Sequence, residues 1–375
     1  MPTLFKTTQV WVLCALASLA LLSCRSTRYA DYAAVAPAAL ILPDGYEYGR
    51  QWQPVLWAVG GDTLAVEVKG RGHSTFAQPK HPYVLRFPAK WALPGMPPHR
   101  RWVLLANFFD HSLLRNALAA EVARQTSLAD VAPRGRFVSL TANGQWQGIY
   151  WLCERVKQKV AKTDSLLQLD VYHWQEQQGQ GLASDTLPSG VPIDTLSVVD
   201  WWLVHELCMN AELNGPRSCY FRLTEGDTLR AGPVWDFDMA FNEVGVDNGG
   251  DLRPTKFKHL AELPSFLQGK RIKWLTVDSL YLAQAPVMQR FLADEHFRQL
   301  SKARWQQLRP RFRRLTGFID YCARLLNAES EADQELWNAR EPARFDGSAT
   351  WNEAVRKLKG TYQRRLERLD NILAQ

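Results

Sequence analysis

Two carboxylates stand two residues apart in Gly232-Pro233-Val234-Trp235-Asp236-Phe237-Asp238-Met239-Ala240-Phe241, in otherwise aromatic and apolar company. A charge buried beside Trp235 and Phe237 is costly unless something pairs with it. In an extended segment, residues i and i+2 project to the same side. Asp236 and Asp238 could therefore converge on one hard cation such as Mg²⁺, which takes oxygen ligands. The same pair could instead cap a helix or pair with arginines. Other metal chemistry finds little support. The eight histidines lack ligand spacing, and no C-x-x-C occurs among the six cysteines. A zinc site is therefore not expected.

The elements that must position the acid pair are legible on both sides of it. Leu64, Val66 and Val68 alternate with polar neighbours, which predicts a strand. It runs into the glycine-rich loop Gly70-Arg71-Gly72-His73-Ser74-Thr75, and a further strand is expected over 80–87. Trp102-Val103-Leu104-Leu105 reads as a short strand. A helix over about 112–125, capped by Asp110 or Ser112, carries Leu114, Ala117, Leu118 and Val122 on one face, with Glu121 beside that stripe. Residues 137–141 and 146–151 flank Asn143-Gly144, a hairpin signature. A helix capped by Ser197 follows, and a loop over 210–217. A second hairpin, 219–223 with 229–234, leads directly into Trp235-Asp236. Beyond it, Trp305, Leu308, Phe312, Leu315, Ile319 and Cys322 fall at helical intervals. Pro310 is expected to kink or divide that helix. Val355, Leu358, Tyr362, Leu366, Leu369 and Leu373 mark a last amphipathic helix.

Composition supports a globular protein, with 46% apolar and 22% charged residues. The net charge of +7 is dispersed without basic–aromatic repeats, so no nucleic-acid partner is expected. The N-terminus reads as an address. Lys6 precedes an apolar run over 10–22, too short to span a bilayer comfortably and suited to a signal-peptide core. It ends in Leu21-Leu22-Ser23-Cys24, which resembles a bacterial lipobox with Cys24 as the lipidated residue. The expected protein is exported and lipid-anchored to a bacterial membrane, facing the periplasm or the cell surface. The expected organisation is a signal peptide over 1–23, a tether over 24–45, a β-rich lobe over 46–172, a linker over 173–196 and a mainly helical lobe over 197–375. A disulfide between two of Cys153, Cys208, Cys219 and Cys322 is permitted outside the cytoplasm.

The chain resembles the spore-coat protein H (CotH) kinase-like family. The resemblance rests on Arg71-Gly72-His73-Ser74, Pro79-Lys80-His81-Pro82-Tyr83, Trp102-Val103-Leu104-Leu105-Ala106-Asn107 and Ser112-Leu113-Leu114-Arg115-Asn116. It continues in Gly148-Ile149-Tyr150-Trp151-Leu152-Cys153-Glu154 and Pro233-Val234-Trp235-Asp236-Phe237-Asp238. The resemblance implies an α+β, atypical protein-kinase-like fold of two lobes. It also implies an activity: transfer of phosphate from ATP or another nucleotide to a Ser or Thr hydroxyl of an envelope or secreted protein, with Mg²⁺ or Mn²⁺. Carried over by position, Asp236 holds the metal with Asp238 beside it. Arg71 and Lys80 face the nucleotide phosphates, with Glu121 as the helix partner of Lys80. Residues 150–154 form the hinge between lobes. Glu212 stands where active relatives place the aspartate that orients the acceptor hydroxyl, and it is one methylene longer. His73 replaces the asparagine of the family's Arg-Gly-Asn-Ser. These departures open an alternative: a catalytically weak or inactive kinase-like lipoprotein that acts as a scaffold, holding a protein or glycan at the cell envelope.

Overall fold

The computed structural model describes residues 29–72, 75–92, 96–156, 165–169, 191–210, 219–224, 228–242, 245–246, 272–273, 277–278, 280–282, 286–338 and 348–374. Cys24, His73 and Glu212 lie outside the described residues, as does most of the expected linker. No helix among the described residues is long and apolar enough to cross a membrane.

The N-terminal region is a closed barrel. Strands β1 (Ala36–Ile41), β2 (Gln53–Val59), β3 (Asp62–Gly70), β4 (Tyr83–Trp91), β5 (His99–Leu105), β6 (Gly135–Ala142) and β7 (Gln145–Glu154) hydrogen-bond in the order β1-β2-β3-β4-β5-β7-β6. The parallel pairing of β1 with β6 closes the ring. The alternation expected of strands fills the barrel. Val55, Trp57, Val66, Val68, Leu85, Trp102, Leu104, Val138, Leu140 and Leu152 form one buried cluster. Side chains of opposite parity, among them Val84, Val103, Phe137, Ile149 and Trp151, belong to a second cluster shared with the helices. Asn143 and Gly144 both have positive φ, as the two-residue hairpin turn between β6 and β7 requires.

Three expectations change here. The folded chain begins earlier than residue 46: residues 36–41, assigned to a tether, are the strand that closes the barrel. Small residues there alternate between an inward and an outward set, and Ala38 and Leu40 are buried. The strand expected over 80–87 starts at Tyr83. Pro82 has no N–H for a ladder, so Lys80 precedes the strand instead of lying on it. Cys153, Cys208 and Cys322 are buried free thiols, so no disulfide joins them.

Helix α1 (Arg115–Arg124) lies between β5 and β6 in sequence and is buried along nearly its whole length. Asp110 accepts from the amides of Ser112 and Arg115, and the Ser112 hydroxyl accepts from the Leu114 amide. The C-terminal region is mainly helical and centres on α2 (Thr195–Leu207), which is buried on all sides from Ser197 to Leu207 and packs on its neighbours accordingly. Its cap is Asp194, which accepts from the Ser197 amide, and not Ser197 itself. Strands β8 (Ser165–Leu169), β9 (Cys219–Thr224) and β10 (Thr228–Ala231) form a small antiparallel sheet. Helices α3 (Pro286–Ala293), α4 (Glu295–Arg313), α5 (Thr316–Asn338) and α6 (Trp351–Ala374) complete the region. Pro310 lies inside the last turn of α4, and the apolar stripe passes to α5 across residues 314–315. The chain is thus mixed α+β, with a β-rich N-terminal and a helical C-terminal region.

Candidate functional site

The acid segment is not extended. After β10 the chain takes an irregular path over 232–242, and Asp236 sits in the left-handed region with φ 71°. An aspartate tolerates that region better than most residues, but it is an uncommon conformation and a feature of functional sites. The two carboxylates come close through a turn and not through strand alternation. Their proximity is visible in Asp238, whose pKa is pushed up to about 7, first by loss of hydration and then by the charge of Asp236. Arg71 and Arg115 act in the opposite direction, and Asp110 adds to the increase.

Two supports hold this segment. From above, the Asn116 side chain accepts the Phe237 amide at 2.8 Å and donates to Asn107 at 2.9 Å. Arg115 reaches the Asp238 carbonyl at 3.5 Å and the Asn242 side chain at 3.1 Å, while its Nε stands 3.4 Å from Asp110. From below, Phe237 packs on His205 at 5.1 Å between ring centroids, and the Phe241 amide donates to the Cys208 carbonyl. Burial pushes the pKa of His205 down to about 3, so it is a neutral aromatic spacer. Its Nδ1 lies 2.8 Å from the Asn210 amide, directly before the segment that carries Glu212.

Beside the acid segment a cleft of about 260 Å³ opens, just below the usual range for small-molecule sites. Val84 and Val103 form an apolar wall, Tyr220 and Trp235 face them from the C-terminal region, and Arg155-Val156 closes the end of β7. Arg50, Lys69 and Arg71 bring charge to the same space. The Arg71 guanidinium lies 5.5 Å from the centre of the Trp235 ring and within reach of the Asp238 charge, so it links cleft and acid pair. The glycine loop must be glycine here. A Cβ on Gly70 would stand 2.6 Å from Phe76 and 2.7 Å from Tyr48, and Gly72 has φ 89°.

The residues expected to work together separate into two groups. Arg71 lines the cleft, and Asp236 and Asp238 lie just outside its lining, directly after Trp235, with Asp238 within reach of the Arg71 charge. Lys80 is placed elsewhere. Its Nζ is buried, donates to Asp333 of α5 at 2.6 Å and to the Ile149 carbonyl at 2.8 Å, and does not line the cleft. Asp333 also accepts the Ile149 amide at 2.7 Å. Glu121 is not its partner: that carboxylate pairs with Arg124 at 3.2 Å and faces Tyr32. The physical reason is the bend over 78–80, before Pro82, which leaves Lys80 beside Tyr150 instead of on a strand. Lys80→Met is therefore expected to act on stability, leaving Asp333 buried and unpaired at a cost of about 3–5 kcal/mol. Nucleotide affinity in the remaining folded protein should not change. Urea unfolding together with a binding titration checks both statements.

Arg115, Asn116 and Asn107 were not singled out as site residues, although they lie within the quoted motifs. Their signal was a run of polar residues at the start of an otherwise apolar helix. The family model described as CotH kinase protein matches residues 66–188 and 190–369.

The chain belongs to the CotH kinase family.

The matched residues include every element around the cleft except the segment that carries Arg50. No curated protein matches the chain. Among the described residues no group of three or more His, Cys, Asp or Glu is placed to hold a metal ion. The two-carboxylate end still suits Mg²⁺ or Mn²⁺ in a phosphate-dependent site. Such an ion is commonly held by one or two carboxylates, with phosphate and water completing its sphere. A carboxyl whose pKa is pushed up to about 7, first by burial and then by a neighbouring carboxylate, is also one in want of a counter-charge.

Family membership suggests a kinase-like function with nucleotide and divalent metal. For Asp238 the sign follows from its raised pKa. The protonated form favours the fold. That contribution is complete below the ordinary carboxylate range and is lost as pH rises through about 7. Cation binding runs the other way, because the cation competes with the proton. Mn²⁺ affinity is expected to rise about tenfold between pH 6 and pH 8. Asp238→Asn should flatten that dependence. It should also stabilise the metal-free fold above pH 7 by on the order of 1–2 kcal/mol, since the carboxyl is only partly buried and so partly screened. Titrations at several pH values and thermal unfolding test the two parts.

Proposed function

We propose that the chain is an exported, lipid-anchored atypical kinase of a bacterial envelope, with the two regions acting as the lobes of a kinase-like fold. The nucleotide occupies the cleft between the barrel wall and Trp235. Arg71 neutralises its phosphates, and Asp236 and Asp238 hold Mg²⁺ or Mn²⁺ against them. The metal supplies charge neutralisation on the transferring phosphoryl group. Glu212 orients the Ser or Thr hydroxyl of an envelope or secreted protein and takes its proton. Cys24 carries the lipid. The observation that supports this reading best is Arg71, which lines the cleft beside Trp235 and lies within reach of the charge of Asp238 next to it.

Phosphoryl transfer leaves the protein little covalent work beyond positioning and electrostatics. Asn116, Arg115 and His205 are positioning residues in this scheme, because each acts on the acid segment and not on the substrate. Incubating the full chain with labelled ATP, Mn²⁺ and an envelope protein fraction tests the proposal. Label should enter a Ser or Thr of the acceptor and depend on Asp236. Tight nucleotide binding without any transfer would instead favour the scaffold reading.

A further inference from the structure

At Tyr29 the chain is fixed to one corner of the helical region. Tyr29 packs on Phe318 and Tyr321 of α5, each at 5.2 Å between ring centroids. Tyr32 meets Phe318 edge-on at 5.0 Å, and the Tyr321 hydroxyl donates to the Tyr32 carbonyl at 3.0 Å. Between them Asp31 pairs with Arg134 at 2.7 Å. These contacts hold the chain only five residues after Cys24. Five residues span at most about 18 Å even when fully extended. A lipid on Cys24 therefore keeps this corner close to the membrane surface.

The corner is basic. Arg314 ends α4, its carbonyl accepts from the Gly317 amide at 3.1 Å, and the Leu315 carbonyl accepts from the Phe318 amide at 3.0 Å. Helical spacing thus carries into α5. Arg314, Gly317, Tyr321 and Arg324 recur at intervals of three and four, which places them on one face. Arg314, Gly317 and Arg324 are exposed, as are Arg311 and Arg313 on the last turn of α4. Arg311 donates to the Gln125 carbonyl at the end of α1 at 3.3 Å. The neighbouring acids are already engaged: Asp320 with Lys359 at 2.7 Å, and Asp370 with both Arg309 and Arg313. Arginines on the last turn of α4 suit the negative end of its dipole, but Arg324 lies two turns into α5, so the dipole does not account for the face.

We propose that this corner is the membrane-facing surface of the protein, with Arg311, Arg313, Arg314 and Arg324 resting on anionic lipid headgroups. The short reach from Cys24 and the sign of the charge select that partner. Basic residues held near an anionic leaflet are attracted to it, and a lipid chain and a basic patch reinforce each other. The inference rests on the lipid-anchored part of the reading above. Docking at this corner also sets which end of the protein stands away from the bilayer. Helix α5 runs from Phe318 to Trp337, whose indole donates to the Gln147 carbonyl at 3.2 Å. The helix rises about 28 Å between those two residues, so the hairpin that joins β6 to β7 lies at its far end.

Fluorescence quenching of the full chain on vesicles tests the proposal, with nitroxide-headgroup lipid as the quencher. One label is placed on Gly317→Cys, where a Cβ meets nothing within 4 Å, and a second on the exposed far end as Gln145→Cys. On phosphatidylglycerol-rich vesicles the Gly317→Cys label should be quenched and the Gln145→Cys label should not. Raised ionic strength, or phosphatidylcholine alone, should relieve the quenching. Arg311→Gln, Arg314→Gln and Arg324→Gln together should lower the ratio of docked to undocked protein on the order of a hundredfold, at about fivefold per charge. The corresponding lysine variants should keep it, and thermal unfolding verifies that both sets are folded. Quenching at Gln145→Cys as strong as at Gly317→Cys overturns the proposal. So does quenching at Gly317→Cys that ignores lipid charge or the three glutamines. The intact mass of the full chain reports acylation of Cys24 separately. An acylated chain without quenching at Gly317→Cys sinks the docking surface and leaves the anchor standing. An unacylated chain quenched only on anionic vesicles supports the surface and sinks the anchor; one that is not quenched overturns both.

Discussion

Asparagine in place of Asp236 is expected to reduce phosphoryl transfer by about 10³-fold or more, with the fold intact. The expectation rests on two features of the residue. Its negative charge helps to raise the pKa of Asp238, after burial, so the two carboxyls are close enough for one cation to act on both. Its backbone, at φ 71°, suits asparagine as well as aspartate. The substitution therefore removes the charge without straining the backbone. Asp236→Leu is the contrasting variant. A leucine in the left-handed region costs about 1–2 kcal/mol, so that variant should lose stability as well as activity. A radiometric assay with paired urea curves separates the two. Retention of a tenth of wild-type transfer by Asp236→Asn would move the metal away from this residue.

The second large effect lies far from the cleft. Arg365 and Glu206 are both fully buried and bonded at 2.8 Å. Glu206 also accepts from the amides of Tyr281 and Leu282 and from the Trp202 indole. Arg365 further donates to the carbonyls of Glu206 and Val277. Arg365→Met leaves a buried carboxylate without its cation, which costs about 3–5 kcal/mol. A double change to apolar residues should not restore full stability here, because it also orphans two backbone amides. The consequence reaches the site. The Tyr281 hydroxyl donates to the Asn242 carbonyl at 2.9 Å, and the Asn242 side chain accepts from Arg115. Arg115 in turn holds the Asp238 carbonyl. Arg365→Met should thus lower transfer in the surviving folded protein as well as the unfolding midpoint in urea. A loss below about 1 kcal/mol would show the pair to be dispensable.

Much of this architecture could be read from residue order. Asn143-Gly144, the alternation through Val66 and Val68, and the stripe from Trp305 to Cys322 each depend on neighbours in sequence, and the strands, turn and helices appear where those patterns place them. The misplacements have physical causes. Residues 36–41 carry small side chains and little periodic signal, and only pairing with β2 and β6 makes them a strand. Lys80 lies just before Pro82, so its strand assignment failed at the boundary. Its partner Asp333 is distant in sequence, and no local pattern could name it. Arg71 and the acid pair were legible because aromatic and glycine neighbours mark them. The cleft cations were not, since Arg50, Lys69 and Arg155 converge only once the barrel closes.

The most direct measurement is equilibrium binding of ATP to the full chain with and without Mn²⁺, in the wild type and in Asp236→Asn. A nucleotide held against a metal at the acid pair should bind at least about tenfold more tightly with Mn²⁺, and Asp236→Asn should abolish that enhancement while remaining folded. ATP binding that ignores both Mn²⁺ and Asp236, or no ATP binding at all, would contradict the assignment of this cleft as a metal-dependent nucleotide site.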